Sequence, residues 1–161
     1  MWSKDGSGSG CACRDVTEAA SFYRGLGFAE VGTVPGDDGR AVMTILEREG
    51  VLLLVDALVG MPFAPTERER NVQNGPRGLG VALGLGVDDL AATYVYCRAQ
   101  GCTITAEPAG TAYGDRVFEC IDPFGYLWEV SQPVAVVPVQ EALRVLHEEW
   151  SEDSTREQAR P

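Results

Sequence analysis

The sequence is poor in the residues that most enzyme chemistry requires. It has one histidine, His147, so a Ser-His-Asp arrangement or a multi-histidine metal centre has almost nothing to draw on. That histidine lies in a polar neighbourhood near the C-terminus, where an ordinary exposed side chain is expected. The five cysteines, Cys11, Cys13, Cys97, Cys102 and Cys120, are odd in number and include no C-x-x-C pair, which argues against a disulfide framework. Cys11 and Cys13 stand two residues apart, as on one face of a strand, and read as small buried thiols rather than a metal clip. No apolar run reaches the ~18 residues that span a bilayer, and Met1 to Gly10 has no apolar centre of signal-peptide type. A cytoplasmic location without membrane contact is the expectation. Positive charge is also scarce: 13 Lys and Arg face 24 Asp and Glu, a formal net charge of −11. Such a surface repels phosphate backbones, so nucleic acid is a poor partner and a neutral or cationic small molecule a better one. The spacing Gly6-x-Gly8-x-Gly10 lacks a following G-K-[ST], so it is not a phosphate loop.

What is present is a soluble globular composition, 45% hydrophobic and 23% charged, carrying a weak internal repeat. Asp15, Arg24 and Gly27 recur as Asp89, Arg98 and Gly101, each 74 positions later (89−15, 98−24, 101−27). Val16 to Leu26 and Leu90 to Gln100 place apolar residues at three- and four-residue intervals, which predicts two helices with one buried stripe each. Asp15 and Asp89 stand as N-caps, and Gly27 and Gly101 as left-handed terminators. After each glycine the pattern changes to short β-branched and aromatic segments: Phe28 to Val34, Ala41 to Leu46 and Val51 to Val55, then Cys102 to Ala106, Arg116 to Ile121 and Tyr126 to Val130. With a strand before each helix, Gly8 to Arg14 and Val81 to Val87, the order is βαβββ twice. The fold class is therefore α+β, two tandem βαβββ modules forming a curved mixed sheet around a cleft, plus a short C-terminal helix. The expected organisation is a first module over 1–58, a linker over 59–78, a second module over 79–132, and a C-terminal helix and tail over 133–161. A helix is expected over Val139 to Trp150, followed by a frayed polar tail.

The residues Asp15-Val16, Phe22-Tyr23 and Leu26-Gly27-Phe28, followed by Tyr113-Gly114-Asp115-Arg116 and the run Asp122 to Glu129 (DPFGYLWE), resemble the vicinal oxygen chelate superfamily. That superfamily includes glyoxalase, extradiol dioxygenases, fosfomycin-resistance enzymes and bleomycin-resistance binding proteins. The resemblance implies a cleft between curved sheets, commonly completed in a homodimer. It also implies a divalent ion held by His or Gln on the first strand of a module and Glu on the last. Counting back seven residues from the capping aspartates puts the first-strand positions at Gly8 and Ala82, and counting four from Gly50 and Gly125 puts the last-strand positions at Leu54 and Glu129. One carboxylate in four positions cannot hold Zn²⁺ or Mg²⁺ tightly, so no metal, no cofactor and no catalytic residue are expected.

Strand alternation points Gly8, Gly10, Ala12, Ala82, Gly84 and Gly86 into the cleft and Cys11, Cys13, Leu83, Leu85 and Val87 toward the helices. Four-residue turns at Glu47 to Gly50 and Asp122 to Gly125 would pair Met43 with Leu54 and Phe118 with Glu129 on the cleft face. The expected ligand-binding set is Met43, Ile45, Leu54, Phe63, Tyr113, Arg116, Phe118 and Glu129, with Tyr113 and Phe63 as aromatic lids and Arg116 as a possible holder of Glu129. Trp128 should face the helices. The expected function is binding of an antibiotic or other natural product, giving resistance by sequestration. The alternative is a glyoxalase-type lyase, isomerase or thiol transferase using Glu129 in a weak metal or general-base site. A regulatory binding module is the third reading.

Overall fold

The computed structural model describes residues 7–58 and 66–158. The first module comprises β1 (Ser7–Cys13), α1 (Val16–Gly25), β2 (Ala29–Pro35), β3 (Ala41–Arg48) and β4 (Val51–Ala57). After α2 (Thr66–Asn74) comes the second, with β5 (Ala82–Gly86), α3 (Leu90–Ala99), β6 (Thr103–Gly110), β7 (Asp115–Ile121) and β8 (Leu127–Pro133). The chain continues into α4 (Val139–Gln158).

The two helices of the repeat begin and end for the same local reasons. Asp15 accepts from Glu18 N and Asp89 from Ala92 N, each at 2.9 Å, so a carboxylate satisfies a backbone donor left free in the first turn. Gly27 (φ +92°) and Gly101 (φ +83°) then reverse the chain in a region that L side chains avoid. The reversal lets Phe28 N reach Tyr23 O and Cys102 N reach Cys97 O, launching β2 and β6 back along the helices.

The two sheets have the same topology, β1-β4-β3-β2 and β5-β8-β7-β6, with the first pair parallel and the rest antiparallel. One side of each sheet packs on the helices, and the two helix-facing sides merge into a single core that includes Phe22, Tyr23, Leu46, Val55, Leu85, Phe118, Trp128 and Val130. Polar contacts lock the modules together. The Tyr23 hydroxyl donates to Asp122 Oδ2 at 2.8 Å, the Tyr96 hydroxyl to Phe22 O at 2.9 Å, and Arg48 donates to both Leu26 O and Gly86 O at 2.8 Å. Gly25 lies where any Cβ would strike the Tyr96 hydroxyl, so α1 and Tyr96 approach closely only because that position has no side chain.

Two segments differ from expectation. The segment joining the modules contains α2, whose sequence TERERNVQN has good helix formers but no apolar stripe, so periodicity does not reveal it. Likewise α4 runs past Trp150 to Gln158, through residues expected to form a frayed tail. Its first turns are reinforced by Arg144, which pairs with Glu141 and Glu148 at 2.7 Å each, three and four residues away.

Candidate functional site

Each sheet has a second side, turned away from the common core. The site is built there. On the second module, β5 contributes Ala82, Gly84 and Gly86, and the parallel register sets them beside Leu127, Glu129 and Ser131 of β8. Across β8 lies β7, where Glu119 stands directly opposite Glu129 and Val117 opposite Ser131. A Cβ placed on Gly84 or Gly86 would meet nothing within 4 Å, so the floor beneath the two glutamates is open space. The first module has a corresponding face: Gly10 beside Leu54, Ile45 opposite Leu54, and Met43 opposite Asp56. A Cβ on Gly10 also meets nothing.

The register corrects two of the expected pairs, for one reason in each case. The β3–β4 connection is a two-residue turn, Glu49 (φ +52°) and Gly50 (φ +82°), both left-handed as in the tightest hairpins, so Arg48 pairs with Val51 and Met43 with Asp56 rather than Leu54. Met43 stays on the open face. The β7–β8 connection has five residues, closed by Asp122 N donating to Tyr126 O at 2.9 Å, while Asp122 Oδ1 accepts from Phe124 N and Tyr126 N. This shifts the pairing by one residue, which turns side chains to the opposite face. Phe118 therefore pairs with Val130 and is 0% exposed in the core, edge-on to Tyr94. Arg116 shares that side of β7, opposite Gln132, and no described cation forms an ion pair with Glu129.

The displaced register brings in a residue that sequence reasoning missed. Glu119 opposes Glu129 on the open face, and directly opposed strand residues hold their Cβ atoms about 4.5–5.5 Å apart. Like charges directly opposite each other on neighbouring strands are unfavourable, and a cation beside them would relieve that. Tyr113 joins them: burial raises its hydroxyl pKa, and the Glu129 charge raises it further, as do Asp115 and Glu119. A correct turn length at Asp122 to Tyr126 was the one sequence signal that could have identified Glu119.

The other expectations fall as follows. Ile45 and Leu54 face each other on the open side of the first sheet. Ala12 belongs to that side by alternation but is buried, because the Tyr126 hydroxyl accepts from its N–H at 2.6 Å and donates to its carbonyl at 3.1 Å. Cys11 and Cys13 are buried free thiols, and Trp128 faces the core, donating Nε1–H to Asp122 at 2.8 Å. Phe63 lies outside the described residues. A cavity of about 370 Å³ lies between the first module and α2, lined by Arg14, Ala57, Leu58, Gln73 and Asn74.

With two βαβββ units and their open faces established, residues 10–130 match the Glyoxalase/Bleomycin resistance protein/Dioxygenase superfamily. The chain belongs to this superfamily. An uncharacterized protein of Mycobacterium bovis is 29% identical over 133 residues, covering 79% of this chain and 82% of that protein. Among solved structures, TioX from Micromonospora sp. ML1 superposes with a TM-score of 0.60 at 20% identity, covering 81% of this chain and 99% of its own. A bleomycin resistance determinant encoded on transposon Tn5 superposes with a TM-score of 0.51 at 24% identity, covering 81% and 98%. At these identities the structures establish the shared fold.

The superfamily's metal centre can be tested against these residues. The positions beside the last-strand residues Leu54 and Glu129 are Gly10 and Gly84, and the positions two residues earlier are Gly8 and Ala82. None of these four has a donor atom in its side chain, nor does Leu54. The residues do not fit the superfamily's divalent ion, and no third ligand joins Glu119 and Glu129 among the described residues.

Proposed function

We propose that this superfamily member is a small-molecule binding protein that sequesters a cationic natural product, such as an antibiotic, on the open face of its second module. The opposed carboxylates of Glu119 and Glu129 above a glycine floor carry this reading. They supply negative charge and room at the place where a metal-dependent relative would need ligands. Leu127, Val117 and Ile121 on the same face offer apolar contact, and Tyr113 a ring for stacking, which together make the usual composition of a small-molecule site.

The binding form is a homodimer in which a second copy closes this face, and the protein acts in the cytoplasm without membrane or nucleic-acid partners. The test is calorimetric titration of planar, cationic natural products, bleomycin among them, with sedimentation to establish the assembly. The expected result is saturable binding by a dimer, weakened about tenfold or more by Glu129→Gln, as loss of a charge-assisted contact of about 1.5–3 kcal/mol requires. Absence of binding across the panel by folded protein would refute the proposal. Chelator-sensitive turnover with a stoichiometric divalent ion would instead place the chain with the metal-dependent enzymes.

A further inference from the structure

A second site is built inside the second module, away from the open face. Cys97 near the end of α3, Cys102 just past its terminating glycine and Cys120 on β7 bring their Sγ atoms to within 4.8 Å of one another. The local fold makes the triangle. Gly101 reverses the chain so that Cys102 N donates to Cys97 O at 3.0 Å, and β6 then pairs with β7 so that Ile104 lies opposite Cys120. All three thiols are free and buried, Cys102 the least deeply at 9% exposure.

The repeat shows what the fold alone requires at these places. Moving back by 74 positions gives Tyr23, Phe28 and Leu46 (97−74, 102−74, 120−74), three large core side chains of the first module, all buried. The second module has three small, soft ligand atoms converging where its twin has hydrocarbon and aromatic bulk.

We propose that Cys97, Cys102 and Cys120 form a three-thiolate site for a trivalent, thiophilic element of the arsenic(III) type. Softness selects against Mg²⁺ and Ca²⁺, which take oxygen ligands. Charge selects further. Three thiolates leave Zn²⁺ with a net charge of −1 and Cu⁺ with −2, which burial penalises, whereas a trivalent centre is neutral. Zn²⁺ would also need a fourth ligand, and none joins the group among the described residues. With sulfur bonds of about 2.3 Å and the pyramidal geometry that a lone pair imposes on a trivalent centre, the three sulfurs lie about 3.4 Å apart, so the triangle needs to close by about 1.4 Å or less. Loading is an exchange without redox change. Arsenous acid gives up its three hydroxyls as three waters, each taking one thiol proton, and three As–S bonds replace three As–O bonds.

Native mass spectrometry and X-ray absorption of the full chain with sodium arsenite, in a phosphine reductant, test this. The expected adduct is one arsenic atom with loss of three protons, and the expected arsenic environment is three sulfurs. Cys102→Ser should abolish the three-sulfur adduct, while the double variant Cys11→Ala/Cys13→Ala should keep it. No adduct, or an arsenic bound by two sulfurs and an oxygen in the wild-type chain, would overturn the proposal without reliance on any variant. Zn²⁺ binding through the same thiols with no arsenite adduct would overturn the assigned element and geometry.

Discussion

Replacing Tyr23 by Phe removes one oxygen and leaves the ring in place among Phe22, Phe28, Phe124 and Trp128. The lost hydroxyl is the donor to Asp122 Oδ2, a carboxylate that is 3% exposed and otherwise held by Trp128 Nε1 and the backbone N–H groups of Phe124 and Tyr126. Tyr23 is itself fully buried, so water cannot replace the bond. A hydrogen bond to a charged group contributes about 1.5–3 kcal/mol, and Asp122 keeps three of its four donors, so a loss of about 2 kcal/mol is expected. At this chain length that lowers Tm by about 4–8 °C. Tyr96→Phe is the built-in comparison: it removes a neutral, half-buried bond to Phe22 O and should cost about 0.5–1.5 kcal/mol. Urea unfolding of the three proteins measures the difference. A loss below about 0.5 kcal/mol in Tyr23→Phe, or a larger loss in Tyr96→Phe, would refute the claim that the buried Tyr23–Asp122 bond joins the two modules.

Three more outcomes follow from the open faces and the thiols. Gly84→Leu should fold normally, because its Cβ enters empty space at an ordinary φ, yet abolish ligand binding by filling the floor below Glu129; a thermal scan beside a binding titration checks both. Glu119→Gln should raise stability by about 0.2–1 kcal/mol in urea at low salt through relief of like-charge opposition, an effect that fades at high salt. Burial first, and Asp122 and Asp15 respectively next, push the Cys11 and Cys13 thiols from 9.0 up to about 12. Between those values the folded state holds more protons than the unfolded one, so this contribution is complete below pH 9 and is lost as pH rises toward 12. Stability measured across that window should fall, and a flat profile would show that these thiols are not protected.

The amino-acid sequence alone determined the duplicated βαβββ order, both capping aspartates, both terminating glycines and the inward face of Trp128. Each of these is written in a few neighbouring residues: a carboxylate three positions before a backbone donor, a glycine where φ must be positive, or an apolar period. It also determined that Gly8, Ala82 and Leu54 cannot hold an ion, since that depends on side-chain chemistry and not on placement. The tertiary structure decided which residues meet. Turns of two and five residues, rather than four, set the registers, and a one-residue slip exchanged Phe118 for Glu119 on the open face. The gathering of Cys97, Cys102 and Cys120 likewise depends on a helix end and a neighbouring strand packing together. Helix α2 escaped detection because a helix without an apolar stripe has no periodic signal. Local signals fix where elements begin and end, whereas faces and sites depend on the registers between them, which the turn geometry sets only once the chain has folded.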